Sequence, residues 1–251
     1  MKNIVKSLAA ALALFAFAVP SGNAADIEGK RIMLPSKERQ VHVTYFRASG
    51  DAPRPAALLL HGAGGFDRRI ADNSHYAAML AEAGIDAYLV YYYSDLDEKL
   101  MSNGVSVFSE RYPHWATLVD DLADYLVKQK DSNGKVGLVG FSNGGILASG
   151  ASTLDPTINA AVIYYGTDPW PLGQPAKRFP PLLILHGDAD QVIDVSNGKE
   201  LAEEAKALGA TVDLVIYPGQ SHGFGADWQK KDATDAFNRT VTFLKKELQV
   251  K

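Results

Sequence analysis

Ser142 lies in Gly140-Phe141-Ser142-Asn143-Gly144-Gly145, a G-x-S-x-G pattern. The β-prone run 135–139 leads into it, and the small residues of 146–150 are suited to opening a helix. In a strand–turn–helix context the pattern makes a tight turn that lifts a serine hydroxyl above a sheet. Side chains at Gly140 or Gly144 would collide where strand and helix pivot. The competing reading is a glycine-rich turn whose serine only caps the helix. A serine hydroxyl is a poor nucleophile unless a base takes its proton and a third group orients that base. Attack by Ser142 therefore requires a histidine and an acid from elsewhere in the chain.

His222, in Tyr217-Pro218-Gly219-Gln220-Ser221-His222-Gly223-Phe224, is the first candidate for the base. It follows the last expected strand, where it can reach back over Ser142. His186 competes, but at the end of an apolar run it reads as a half-buried histidine bonded to backbone. His61 reads as support for a glycine loop, and His42, His75 and His114 have no catalytic context. For the acid, Asp190 comes first, ahead of Asp188, Asp194 and Asp168. Ser142, Asp190 and His222 follow the Ser…acid…His order of α/β-hydrolases. Asp188 is expected in an Asx-type turn and Asp194 as a helix cap. Negative charge developing on a carbonyl oxygen needs fixed N–H donors. Asn143, just after the serine, supplies one, and Ala63 or Gly64 in His61-Gly62-Ala63-Gly64-Gly65 the other. A phosphate cradle is excluded there because the Gly-Lys-Ser/Thr ending of a P-loop is missing. This chemistry calls for no metal and no organic cofactor.

Strands that alternate with helices must position these residues. Strands are expected over 31–34, 41–47, 56–60, 85–92, 135–141, 158–165, 182–185 and 211–217. Helices are expected over 70–83, 114–130, 195–208 and 232–248. The fold class is α/β, with a mostly parallel central sheet of about eight strands and helices on both faces. Such sheets place sites at the carboxyl ends of their strands, which brings the His61, Ser142, Asp168, His186–Asp194 and His222 loops to one rim. Residues 94–112 show no clear period and read as a lid or pocket wall. Asp120, Asp121 and Asp124 read as a solvated helix face. Aromatic residues gather near the rim: Phe66, Tyr92, Tyr93, Phe108, Tyr165, Trp170 and Phe224.

The 251 residues are 47% hydrophobic and 22% charged, an ordinary globular composition. A net charge of −4 gives no electrostatic case for nucleic acid or an anionic membrane. Residues 1–24 read as an export signal: Lys2 and Lys6, an apolar run from Leu8 to Val19, and small residues before a cut after Ala24. The run is too short for a spanning helix, so no stable membrane anchor is expected after cleavage. Removal of two lysines and no acids takes the charge from −4 to −6. Residues 25–251 then form a single domain, periplasmic or secreted. Nothing in the sequence specifies an oligomer.

The motifs around Ser142, Tyr164-Tyr165-Gly166, His186-Gly187-Asp188-Ala189-Asp190 and Tyr217–Phe224 occur in an order that resembles the dienelactone hydrolase family of the α/β-hydrolase superfamily. The resemblance implies Ser142, Asp190 and His222 as nucleophile, acid and base, acting on a small-molecule ester or lactone through an acyl-enzyme. Two departures stand out. The family favours cysteine where this chain has Ser142, and a glutamate after the third strand where this chain has His61–Gly65. That glutamate helps control a thiol, so both losses together are chemically coherent, and they weaken the case for a dienelactone as substrate. A peptidase acting on short peptides would use the same residues. A non-catalytic binding protein on this fold is the remaining reading, disfavoured by the intact set of three.

Overall fold

In the computed structural model the described residues are 28–250, apart from 52, 66–69, 103–105, 155 and 227–228. The expected export signal and Phe66 lie outside them. Leu58, Leu59 and Leu60 are all fully buried because their strand, β3 (Arg54–Leu60), is covered on both faces. The other strands are β1 (Lys30–Pro35), β2 (Gln40–Phe46), β4 (Asp86–Val90), β5 (Ser132–Phe141), β6 (Ile158–Tyr164), β7 (Leu182–Gly187) and β8 (Val212–Tyr217). They form one sheet in the order β1-β2-β4-β3-β5-β6-β7-β8. β1 and β2 enter antiparallel, and all pairs from β4 to β8 are parallel. The α/β class and the count of strands agree with the sequence.

The helices are α1 (Ile70–Glu82), α2 (Asp95–Ser102), α3 (Phe108–Val127), α4 (Asn143–Leu154), α5 (Val195–Ala207) and α6 (Lys231–Glu247). Successive strand side chains point to opposite faces. Leu58, Leu60, Leu138 and Ile184 accordingly pack with α3, α4 and α5, whereas Ala57, Leu59, Val139 and Leu185 pack with α1 and α6. Register then sets the site. Leu60 pairs with Gly140, Phe141 with Tyr164, and Gly187 with Tyr217, so the loops that follow these residues open along one rim.

Two expectations are corrected. Residues 94–112, read as a lid or pocket wall, contribute none of the described residues that line the cavity beside Ser142. They contain α2 and the start of α3, which runs through Pro113. The Ser94 N–H donates to Asp97 Oδ2 at 3.0 Å, and the Asp97 N–H to Ser94 Oγ at 3.2 Å. This reciprocal cap explains the helix start. Asp97 also meets Arg111 Nε at 3.2 Å and accepts from Trp115 Nε1 at 3.4 Å, which binds α2 to α3. The second correction concerns Asp121, which is buried rather than solvated. It accepts from the Lys37 N–H at 2.7 Å and pairs with Lys37 Nζ at 2.8 Å, so it ties the β1–β2 turn to α3.

Candidate active site

The turn at Gly140–Gly145 is built by contacts only glycine permits. A Cβ on Gly140 would strike the Gly144 carbonyl, and one on Gly144 would strike the Leu60 carbonyl. Strand β5, helix α4 and the end of β3 are thereby pressed together. Ser142 takes φ 55°, the left-handed region that costs a non-glycine residue energy. Its N–H donates to the Tyr164 carbonyl at 3.0 Å, and its carbonyl accepts from the Ile146 N–H at 3.0 Å. The hydroxyl is therefore fixed above the sheet edge by the strand on one side and the helix on the other.

The loops after β7 and β8 are stitched to each other. The Asp188 N–H donates to the Tyr217 carbonyl at 3.2 Å, and the Ala189 N–H to the Gln220 carbonyl at 3.0 Å. Asp188 Oδ1 accepts from the Gly219 N–H at 2.6 Å. Asp188 thus joins two loops and does not close the local turn expected of it. Asp194 caps α5 as expected, accepting from the Ser196 N–H at 2.8 Å.

This stitching brings together the three residues singled out in the sequence. His222 Nε2 lies 2.8 Å from Ser142 Oγ, and His222 Nδ1 lies 2.7 Å from Asp190 Oδ2. The Asp190 side chain is fully buried, while that of His222 is 21% exposed. Burial alone would raise the Asp190 carboxyl. The bonds from His222 and from the Ile193 and Val192 N–H groups outweigh it, so the carboxyl is held below its ordinary value. Asp168, the reserve acid, instead accepts from the Trp170 N–H at 3.0 Å, and burial raises it.

Ser142 and His222 face a cavity of about 630 Å³. Ala63, Gly64 and Asn143 line it together with the serine. Asn143 opens α4, and first-turn N–H groups have no partner within their own helix. His61 is structural, as expected. Its ring stacks on Tyr92 at 3.9 Å and its Nδ1–H donates to the Gly62 carbonyl at 2.8 Å. Burial pushes its pKa down to about 4, which keeps it neutral.

The aromatic residues separate. Tyr165 lines the cavity and meets the His222 ring edge-on at 4.8 Å, and Phe224 packs on Tyr165. Tyr92, Tyr93 and Phe108 belong to the core, and Trp170 is exposed. Sequence reasoning missed Tyr76 of α1, which lines the cavity and donates to the Gly225 carbonyl at 3.0 Å, bracing the His222 loop. It also missed Val192, 71% exposed at the cavity mouth. The φ of 37° at Tyr165 is a second strained backbone position, one strand away from Ser142. The Tyr-Tyr-Gly motif is the only sequence signal for it.

A parallel sheet flanked by α1 and α6 on one face and α3–α5 on the other, with the serine on a strand–helix turn, defines an α/β-hydrolase fold. The dienelactone hydrolase family signature matches residues 43–248, and the chain belongs to that family. A Methylorubrum extorquens protein provisionally named a carboxymethylenebutenolidase is 31% identical over 109 residues. The match covers 40% of this chain and only 38% of that relative. The dienelactone hydrolase structure from Anabaena variabilis superposes with a TM-score of 0.71 at 20% identity, over 88% of this chain and 98% of that one. An esterase from Pyrobaculum calidifontis gives 0.73 at 17% identity, over 89% and 85%. At these identities the structural likeness is one of fold.

Proposed function

We propose that the protein is a serine hydrolase of small carboxylic esters or lactones. The observation that carries this reading is the chain of contacts from Asp190 through His222 to Ser142, with the hydroxyl end open to the cavity. His222 Nε2 takes the proton of Ser142 as Oγ attacks the ester carbonyl, and buried Asp190 stabilises the imidazolium that forms. The N–H groups of Asn143 and Ala63 hold the oxyanion. His222 then returns the proton to the leaving alcohol, and an acyl group remains on Ser142. Water, deprotonated by the same nitrogen, attacks the acyl carbonyl and releases the acid with Ser142 restored.

A fluorophosphonate probe tests the reading. The expected adduct forms on Ser142 and blocks hydrolysis of a p-nitrophenyl ester, and Ser142→Ala takes up no label. A chain that neither labels nor cleaves any aryl, short-acyl, acetyl-sugar or lactone ester overturns it. Matched ester and amide substrates separate it from peptide cleavage, which a faster amide rate would establish. Export belongs to the same proposal, supported by the composition of residues 1–24. The amino-terminal sequence of the mature protein should start at Ala25, and a retained Met1 would refute it.

A further inference from the structure

His186 is a fully buried titratable group for which acyl transfer has no use. Its Nε2–H donates to the Ile193 carbonyl at 2.9 Å, and the same nitrogen lies 3.5 Å from Asp190 Oδ2. The Ile193 N–H donates to Asp190 Oδ1 at 3.0 Å, as does the Val192 N–H at 2.8 Å. Residue 193 is therefore gripped at both ends, its N–H by Asp190 and its carbonyl by His186. The grip leaves Asp190 Oδ2 turned to His222.

Two features of this arrangement cost stability. His186 Nδ1 is buried with no hydrogen-bond partner among the described residues. Gly198, which faces it, lies inside α5, where glycine is unfavourable. The second cost follows from seating the ring, because a Cβ at 198 would stand 2.6 Å from Nδ1. A leucine at 186 would avoid the orphan nitrogen, but it would leave the Ile193 carbonyl without its donor and free the 190–193 turn.

We propose that His186, seated by Gly198, is a positioning residue that holds the 190–193 turn so that Asp190 stays aimed at His222. The inference rests on the reading of Asp190 as the partner of His222 in ester hydrolysis. It makes His186 a donor through Nε2 and assigns it no proton transfer.

Three variants of the full chain test it: His186→Leu, His186→Gln and Gly198→Ala. They are compared by kcat and KM on p-nitrophenyl acetate and by the deshielded NMR line of His222 Nδ1–H. In His186→Leu, kcat should fall roughly ten- to a hundredfold with KM nearly constant, the scale expected of an ångström misplacement. The proton line should broaden or vanish. His186→Gln keeps an N–H donor and should restore both. Gly198→Ala should lower kcat although alanine favours the helix. A His186→Leu protein that keeps both kcat and the line, losing only thermal stability, overturns the proposal. Should that variant fail to fold, Gly198→Ala decides: kcat lost at an unchanged or higher unfolding midpoint supports the proposal, and unchanged kcat overturns it. The proton line needs no turnover. A wild type inactive on esters would thus sink the proposed function while the response of the line to His186→Leu still decides the positioning role.

Discussion

The two ends of the sheet bury polar groups in opposite ways. At the amino ends of β3 and β4, Arg54 Nε meets Asp86 Oδ1 at 3.1 Å, with both side chains at least nine-tenths buried. The same Asp86 oxygen accepts from the Ala48 N–H at 2.7 Å. Cation and anion answer each other there, and the pair is closed in charge, although Arg54 Nη1 has no hydrogen-bond partner among the described residues and the pair lines a cavity of its own. At the carboxyl ends the buried carboxylate of Asp190 is answered by an imidazole whose other nitrogen faces a hydroxyl at the cavity. That series ends open. Ser142 and Tyr165, both at φ above zero, lie on the open rim, whereas Gln249, also at φ above zero, follows α6 near the amino end of β5. A closed buried pair contributes to holding the sheet edge, whereas an open, strained series is poised to act on something that enters.

The largest expected effect breaks the open end. Ser142→Ala should reduce ester turnover roughly 10⁶-fold, and Asp190→Asn roughly 10⁴-fold, the scale seen when one member of a catalytic triad is removed. Chemical denaturation of Ser142→Ala should give a nearly unchanged midpoint. Activity within tenfold of wild type in Ser142→Ala would erase the distinction between the two ends. The closed end should behave inversely. Arg54→Met leaves Asp86 buried without its cation and should cost about 3–5 kcal/mol. Urea unfolding would measure that loss, and kcat per folded molecule should stay at the wild-type value.

How legible each end was in the sequence follows from what builds it. Ser142, Asp190 and His222 were readable because the turn at Gly140–Gly145 is a local steric requirement and their order follows the strand order. Gly140 is glycine for a reason visible within five residues, the Gly144 carbonyl, whereas Gly144 is glycine because of the Leu60 carbonyl on β3, which only the glycine pattern signals. Tyr165 was readable as an aromatic at the rim, whereas Tyr76 was not readable as a cavity wall. An aromatic side chain on a helix looks the same whether it packs in the core or borders a cleft. The partner of Asp121 is 84 residues away at Lys37, and the Asp188 bond to Gly219 spans 31, so neither pairing has a local signature. Ser94 and Asp97 did carry a local signature, the S-x-x-D of a capping box. Lack of apolar periodicity in 94–112 masked it, because α2 is held through Asp97 more than through an apolar stripe.

His61 gives a pH-dependent test on the open side. Burial lowers its pKa from 6.5 to about 4, so the folded chain stays neutral there while the unfolded chain binds a proton. Stability should therefore fall as pH drops from 6.5 towards 4, by at most about 3 kcal/mol, and this contribution should be constant below 4. His61→Asn retains an N–H donor for the Gly62 carbonyl and should flatten the slope in that window. Asp190, held below its ordinary value, acts in a lower window, where its contribution is lost as pH falls through the folded pKa. Urea midpoints at stepped pH would show the two windows, and an unchanged slope in His61→Asn would assign the loss to other groups.

The smallest effect compares two glycines on one strand. Gly134, near the start of β5, has φ 80° and open space where a Cβ would stand, so Gly134→Ala should cost only the left-handed conformation, about 1 kcal/mol. Gly140, near its end, lacks that conformational demand but has the Gly144 backbone where the Cβ would be. Gly140→Ala should then cost about 1–3 kcal/mol through overpacking. It should also displace Ser142 from His222 Nε2, so kcat falls in the molecules that remain folded. Gly134→Ala should leave kcat unchanged. Equal losses of kcat in the two variants would mean that the turn senses the stability of β5 as a whole and not the local fit between Gly140 and Gly144.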